Sequence, residues 1–171
     1  MTVLEIKLIP DPVLRKKAEP VKVVTNDIIS VLNDMAETMY DAPGIGLAAN
    51  QVGILKRLIV MDCSTDDEDP NLIKMINPEI IFSSTEISEL EEGCLSIPEH
   101  KSIVKRPSNI KVRFLNIQGL EEILDAEGLL SACIQHEIDH LNGVLFVDHI
   151  SRLKRDIILR KVKKQIRENE K

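Results

Sequence analysis

Residues 135–143, QHEIDHLNG, hold the pattern H-E-x-x-H, and the setting of this stretch decides how the chain must fold. From Gly128 the apolar residues Leu130, Ile134, Ile138 and Leu141 recur at helical spacing until Gly143 supplies a stop. The spacing predicts a helix that is apolar on more than one side and therefore runs through the interior. His136 and His140, four residues apart, share one face of that helix and can meet one metal ion, with Glu137 beside them as a proton carrier. The bland alternative is two surface histidines and a salt-bridging glutamate. Inside an apolar helix such groups need partners, so that alternative is the costlier one.

Around this helix the chain reads as α+β. Weak alternation in VLEIKLI (3–9) predicts a strand, and Asp11-Pro12 opens a short helix through Leu14 to Ala18 that Pro20 ends. Ile28, Val31, Leu32, Met35 and Met39, with Thr25 or Asn26 as cap, predict an amphipathic helix over 25–40. IGLAANQVG (45–53) reads as a Gly-bounded loop before the strand RLIVMD (57–62), and the acidic STDDEDPN (64–71) reads as a solvated turn. LIKMINPEIIF (72–82), SIVKRPSNIKVRFLNIQG (102–119) and LEEILDA (120–126) read as strands broken by Pro or Asn-containing turns, in an order that favours antiparallel pairing. Leu153, Ile157, Ile158, Val162 and Ile166 share one face of a final helix whose other positions are rich in Lys and Arg. The expectation is mostly antiparallel strands packed around a central H-E-x-x-H helix, with an N-terminal amphipathic helix and a C-terminal basic one. Residues 1–150 would form the catalytic body and 151–171 a helix of the same domain.

Composition limits the alternatives. At 171 residues the chain has the length of one ordinary domain that can bury a core without disulfides. It has no Trp, one Tyr and three Phe, so base stacking is not its trade and the core falls to Ile, Leu, Val and Met. No apolar run is long enough to span a membrane, and the first residues have neither a secretory nor a transit pattern, so a cytoplasmic location is expected. Three cysteines, Cys63, Cys94 and Cys133, are expected as free thiols. Of 22 Lys+Arg and 28 Asp+Glu, residues 151–171 hold nine basic and three acidic, which leaves an acidic body with a basic tail.

A hydrolytic metal site needs three protein ligands and an open position, so a further donor is required. Downstream, Asp148 and His149 follow the helix stop. Upstream stands EEGCLSIP (91–98), where Cys94 lies between Gly93, which permits close backbone approach, and Pro98, which fixes the following turn. A lone Cys is more often a small core residue.

Three stretches, GIGLAANQ (44–51), EGCLS (92–96) and QHEIDHL (135–141), occur in an order and spacing that resemble peptide deformylase, and MINPEI, SIPE, GVLF and the helical tail extend the likeness over essentially the whole chain. The resemblance implies a bacterial-type hydrolase that removes the formyl group from N-terminal formylmethionine and releases formate. It implies Cys94, His136 and His140 as metal ligands. It also implies water activated at the metal, with Glu137 taking the proton and returning it to the leaving amine, and Gln51 and the Leu95 N–H as oxyanion donors. Fe2+ is the implied ion in the cell, with Zn2+, Ni2+ or Co2+ as substitutes; the mixed thiolate and imidazole set alone does not choose among them. Ile45, Gly46, Glu92, Gly93, Leu129 and Cys133 are candidates for binding the substrate and its methionine side chain, with Ala132 leaving room beside them. Lys101 and Arg106 are candidates for anchoring peptide carbonyls or the carboxylate. The partners implied are formylated nascent peptides, with a ribosomal RNA contact through 151–171 as a hypothesis; a monomer without DNA or membrane partners is expected.

Two other classes remain to be weighed. A metallopeptidase would take its third ligand after the helix, and Cys94 argues against it. A metal-stabilised binding module would close the sphere with a fourth protein ligand, Cys63 or Cys133.

Overall fold

The computed structural model describes residues 1–171. Two sheets share the strands. Strands β1 (Gly46–Ala48), β2 (Leu58–Met61), β3 (Ile73–Ser83), β6 (Asn109–Leu115) and β7 (Glu121–Glu127) form one sheet in the order β1-β2-β3-β6-β7, and β4 (Ile87–Cys94) pairs with β5 (Ile97–Pro107) as a separate hairpin. Every pairing is antiparallel. The expected α+β architecture is therefore present.

Three α-helices pack on these strands: α1 (Asn26–Asp41), α2 (Gly128–Leu141) and α3 (Arg152–Asn169). Thr25 caps α1 by accepting from the Ile28 N–H, and Ser151 caps α3 by accepting from Lys154. Helix α2 ends ahead of Gly143, whose φ of +74° suits a residue without Cβ; a Cβ there would lie 2.5 Å from the Arg15 carbonyl oxygen. Ile28, Leu32, Met35 and Met39 of α1 pack on Leu47, Leu58 and Val60, while Ile134, Ile138 and Leu141 of α2 pack on Met61, Met75 and Val112. Helix α2 is thus clasped between the large sheet and the hairpin, as an all-round apolar helix requires.

Four local expectations need correction. VLEIKLI joins no strand; the Leu4 N–H binds the Thr38 hydroxyl and the Lys7 N–H binds the Gln51 carbonyl, so single tethers replace a ladder. The helix after Asp11 stops at Arg15 as one 3-10 turn. Part of the 45–53 loop is strand β1 followed by a 3-10 turn at Ala49–Val52. On α3, Leu153 stands 70% exposed, and Ile158 and Val162 carry the burial.

Candidate metal centre

The donor atoms of Cys94, His136 and His140 all lie within 4.8 Å of one another. His140 Nε2 is 3.3 Å from Cys94 Sγ and 3.2 Å from His136 Nε2, so two imidazole nitrogens and one sulfur face a common point. Helix α2 supplies both histidines from one face. The hairpin supplies the sulfur from the C-terminal end of β4, where the register shifts between Gly93 and Cys94 and turns the thiol inward. Thiolate and imidazole donors fit a borderline divalent metal such as zinc or iron. Burial lowers the pKa of His140, keeping it neutral and able to offer a lone pair. Cys63 and Cys133 stand outside the donor set.

The surrounding side chains hold this set in place. His136 Nδ1 is 2.9 Å from Glu92 Oε1, which fixes the ring and turns its other nitrogen to the centre. Arg106 donates Nε to Glu92 Oε2 at 2.6 Å and Nη2 to Oε1 at 3.0 Å, a fork matched to the carboxylate. Burial alone would raise the Glu92 pKa, but the bonds from His136 and Arg106 overcome it and hold the carboxyl at about 2. The Arg106 Nη1 also reaches Asp139 Oδ2 at 2.9 Å, and His149 Nε2 meets that same oxygen at 2.8 Å. Arg106 is accordingly only 5% exposed and committed to two carboxylates, so the expectation that it anchors substrate is set aside. His149 and Asp148, weighed as downstream ligands, are engaged by Asp139 and by Arg15 and lie outside the donor set.

Glu137 differs from its neighbours. Its Oε2 is buried without a hydrogen-bond partner, and burial pushes its carboxyl up to about 7. Its Oε1 closely approaches Gly46, where an added Cβ would lie 2.5 Å away and would meet the Cys133 sulfur at 2.9 Å. Gly44 is similarly closed by the Leu95 side chain, at 2.7 Å from an added Cβ. A side chain at either glycine would therefore have to displace Leu95, or Glu137 and Cys133. Gln51 directs its amide by accepting the Ala48 N–H on Oε1 at 3.0 Å; Nε2 then lies 3.1 Å from Ser96 Oγ and 3.5 Å from Cys94 Sγ.

A cleft of about 970 Å³ opens beside the donors. Ile45, Gly46, Gln51, Glu92, Gly93, Leu95, Leu129, Ala132, Cys133 and Glu137 all line it, as does Lys101. Ile45 and Leu129, at 46% and 49% exposed, are apolar surface open to a ligand. Ser96 and Asp139 escaped the sequence reading. Ser96 sits inside a recognised stretch with no pattern of its own, while Asp139 looks like a solvated helix residue until Arg106 is known to be buried.

Comparison with known proteins agrees with this geometry. The family model for polypeptide deformylase matches residues 3–156. Peptide deformylase of Rhizobium meliloti (strain 1021) is 51% identical over 164 residues, covering 96% of this chain and 94% of its own length. The crystal structure of peptide deformylase from Ehrlichia chaffeensis superposes with a TM-score of 0.95 at 41% identity, covering 99% of this chain and 100% of that one. A structure of peptide deformylase from the same organism in complex with actinonin gives 0.92 at 43% identity, covering 96% and 98%.

Proposed function

This chain belongs to the peptide deformylase family, and we propose that in it Cys94, His136 and His140 hold one divalent metal ion while Glu137 carries the proton. It is a hydrolase that removes the N-formyl group from the formylmethionine of newly synthesised proteins, with formate as product. The single observation that carries the residue assignment is the convergence of three donor atoms beside a buried, unpartnered carboxylate oxygen.

When bound, the ion supplies Lewis-acid polarisation and a lower pKa for water. The remaining work falls to the chain. Glu137 Oε2 accepts the proton released as oxygen adds to the formyl carbon, then returns it to the nitrogen as the carbon–nitrogen bond breaks, so the amine departs neutral. Its raised pKa suits a group that must both take and give a proton near neutrality. Gln51 Nε2 and the Leu95 N–H donate to the oxyanion; the Ala48 bond holds the Gln51 amide in that orientation before substrate arrives. Gly44 and Gly46 let an extended peptide backbone lie against the wall, with the methionine side chain among Ile45, Leu129, Cys133 and the Glu92–Gly93 strand. The Ehrlichia chaffeensis relative was solved in complex with actinonin, and the cleft is the proposed ligand site in this chain.

Fe2+ is the proposed ion in the cell, with Zn2+, Ni2+ and Co2+ as substitutes. The protein is proposed to act as a cytoplasmic monomer, with 1–150 as catalytic body and α3 as part of the same domain. The exposed cations of α3 are proposed to meet ribosomal RNA; replacing Lys161 and Lys164 by Glu would then reduce ribosome co-sedimentation in a salt-dependent manner, and unchanged co-sedimentation would refute it. No helix is long and apolar enough to cross a membrane. The deciding assay supplies anaerobic protein with iron or nickel and compares formate release from formyl-Met-Ala-Ser with cleavage of the unformylated peptide. Formate release dependent on added metal and lost in Cys94→Ala is the expected result; peptide cleavage without formate would overturn the assignment.

A further inference from the structure

Cys63 has no part in the reaction just described and Cys133 only lines the cleft, yet both lie where β2 and α2 pack together at its wall. Cys63 follows β2 by two residues, and Cys133 lies on α2, a separation of 70 positions in the chain. The main chain around Cys63 is firmly placed. Asp62, just before it, is 6% exposed and accepts from Tyr40 Oη at 2.7 Å, Ser64 Oγ at 2.6 Å, the Ser64 N–H at 3.0 Å and the Asn71 N–H at 3.3 Å. The Asp62 N–H donates to the Ile45 carbonyl at 2.9 Å, and the Cys133 Sγ approaches that same carbonyl at 3.8 Å. One acceptor thus collects the backbone next to Cys63 and the thiol of Cys133. Cys63 packs on the core cluster to which Cys133 belongs. Neither is in a disulfide; Cys63 is half-buried and Cys133 buried.

We propose that Cys63 and Cys133 are a peroxide-oxidisable dithiol whose closure to a disulfide deforms the cleft wall at Ile45 and Gly46. The wall depends on Cys133 because its sulfur touches the Ile45 carbonyl and fills the space beside Gly46. Drawing that sulfur into a covalent bond with Cys63 withdraws it from both.

The chemistry balances with hydrogen peroxide as oxidant. Cys63 sulfur attacks one peroxide oxygen; the S–O bond forms as the O–O bond breaks, and water leaves with the thiol proton, giving a sulfenic acid. The Cys133 sulfur then attacks the Cys63 sulfur, the S–S bond forms as the S–O bond breaks, and the Cys133 proton leaves with the hydroxyl as a second water. Two thiols lose two electrons and one peroxide gains them. The neighbouring Cys133 thiol lowers the Cys63 pKa, while the Cys63 neighbour and then burial raise that of Cys133, so the more accessible sulfur is also the more reactive. Thiol reductants reverse the step.

The test uses the full chain loaded with nickel, so that Cys94 is engaged, and titrates it with hydrogen peroxide. The expected product is a protein lighter by about 2 Da whose digest contains one disulfide joining the Cys63 and Cys133 peptides, reversed by dithiothreitol. Formate release should fall about fivefold or more in step with that cross-link and recover on reduction, since small displacements of a substrate wall have large kinetic effects. Cys63→Ser, a change at a half-buried residue outside the cleft lining, should start with ordinary activity, form no cross-link and resist the same peroxide dose. Separate over-oxidation of Cys63 or Cys133, or pairing of either with Cys94, would overturn the dithiol. A Cys63–Cys133 cross-link that leaves formate release unchanged would overturn its hold on the wall. The mass measurement needs no catalytic activity, so it stands apart from the assignment of function.

Discussion

In α2, ten of fourteen residues are buried, including Ser131, Gln135, His136, Glu137 and His140; in α3, eighteen residues long, Ile158 and Val162 are the buried ones. Both helices carry an apolar repeat, but they handle polar groups in opposite ways. The polar side chains of α3 remain in water at little cost. Those of α2 have left it and must be accounted for one by one. Gln135 donates to the Pro107 carbonyl at 2.9 Å and to Ser131 at 3.0 Å, and His136 is held by Glu92. Glu137 Oε2 and His140 Nδ1 are left over. The comparison teaches where to look for chemistry: at the buried groups whose neighbours are satisfied and which themselves are not.

The sharpest way to break this contrast is at Glu137. Glu137→Gln should cost roughly 10²–10⁴ in kcat while metal content and folding persist, because it removes only the proton carrier. A variant within tenfold of the parent in formate release would deprive α2 of its distinction. Arg106→Met tests the accounting itself: it leaves Glu92 buried and uncompensated, with an expected loss of about 3–5 kcal/mol in urea unfolding. The same variant should weaken metal binding about 10–100-fold in a chelator competition, since Glu92 orients His136. On α3 the effects should shrink. Ile158→Ala should cost about 2 kcal/mol in stability and leave turnover per folded molecule unchanged. Leu153→Ser, at a position 70% exposed, should move the unfolding midpoint by no more than about 0.5 kcal/mol. If Leu153 mattered more than Ile158, the burial assigned to the two faces of α3 would be inverted.

What could be read from the residues alone followed from periodicity. Helices α1, α2 and α3 carry uninterrupted apolar spacing and recognisable caps, and each lies within a residue or two of its expected span. Strand β4 was missed because ISELEEGC carries three acidic residues and alternates poorly, its stability coming from eight paired positions along β5. VLEIKLI alternates only weakly and joins no ladder, being held by single tethers to Thr38 and Gln51. The metal donors were legible because His136 and His140 share a local spacing and Cys94 stands in a quotable stretch. The supports were not: nothing local distinguishes Arg106 from a surface cation, because its burial is produced by Glu92 and Asp139 arriving from other elements. The nearness of Cys63 and Cys133 is equally invisible, as it exists only once β2 and α2 have packed.

The division of the strands into two sheets has a thermodynamic consequence. No ladder joins the β4–β5 hairpin to the five-stranded sheet, and the proposed donors are split between them, sulfur on the hairpin and both imidazoles on α2. Metal binding and hairpin docking are then linked equilibria: each measured affinity includes the work of closing the seam, and each bound ion returns that work as slower opening. Amide hydrogen exchange along 87–107 should therefore be the most metal-sensitive in the protein, with the far strands β6 and β7 nearly indifferent. The centre is in that sense a rivet as well as a reagent.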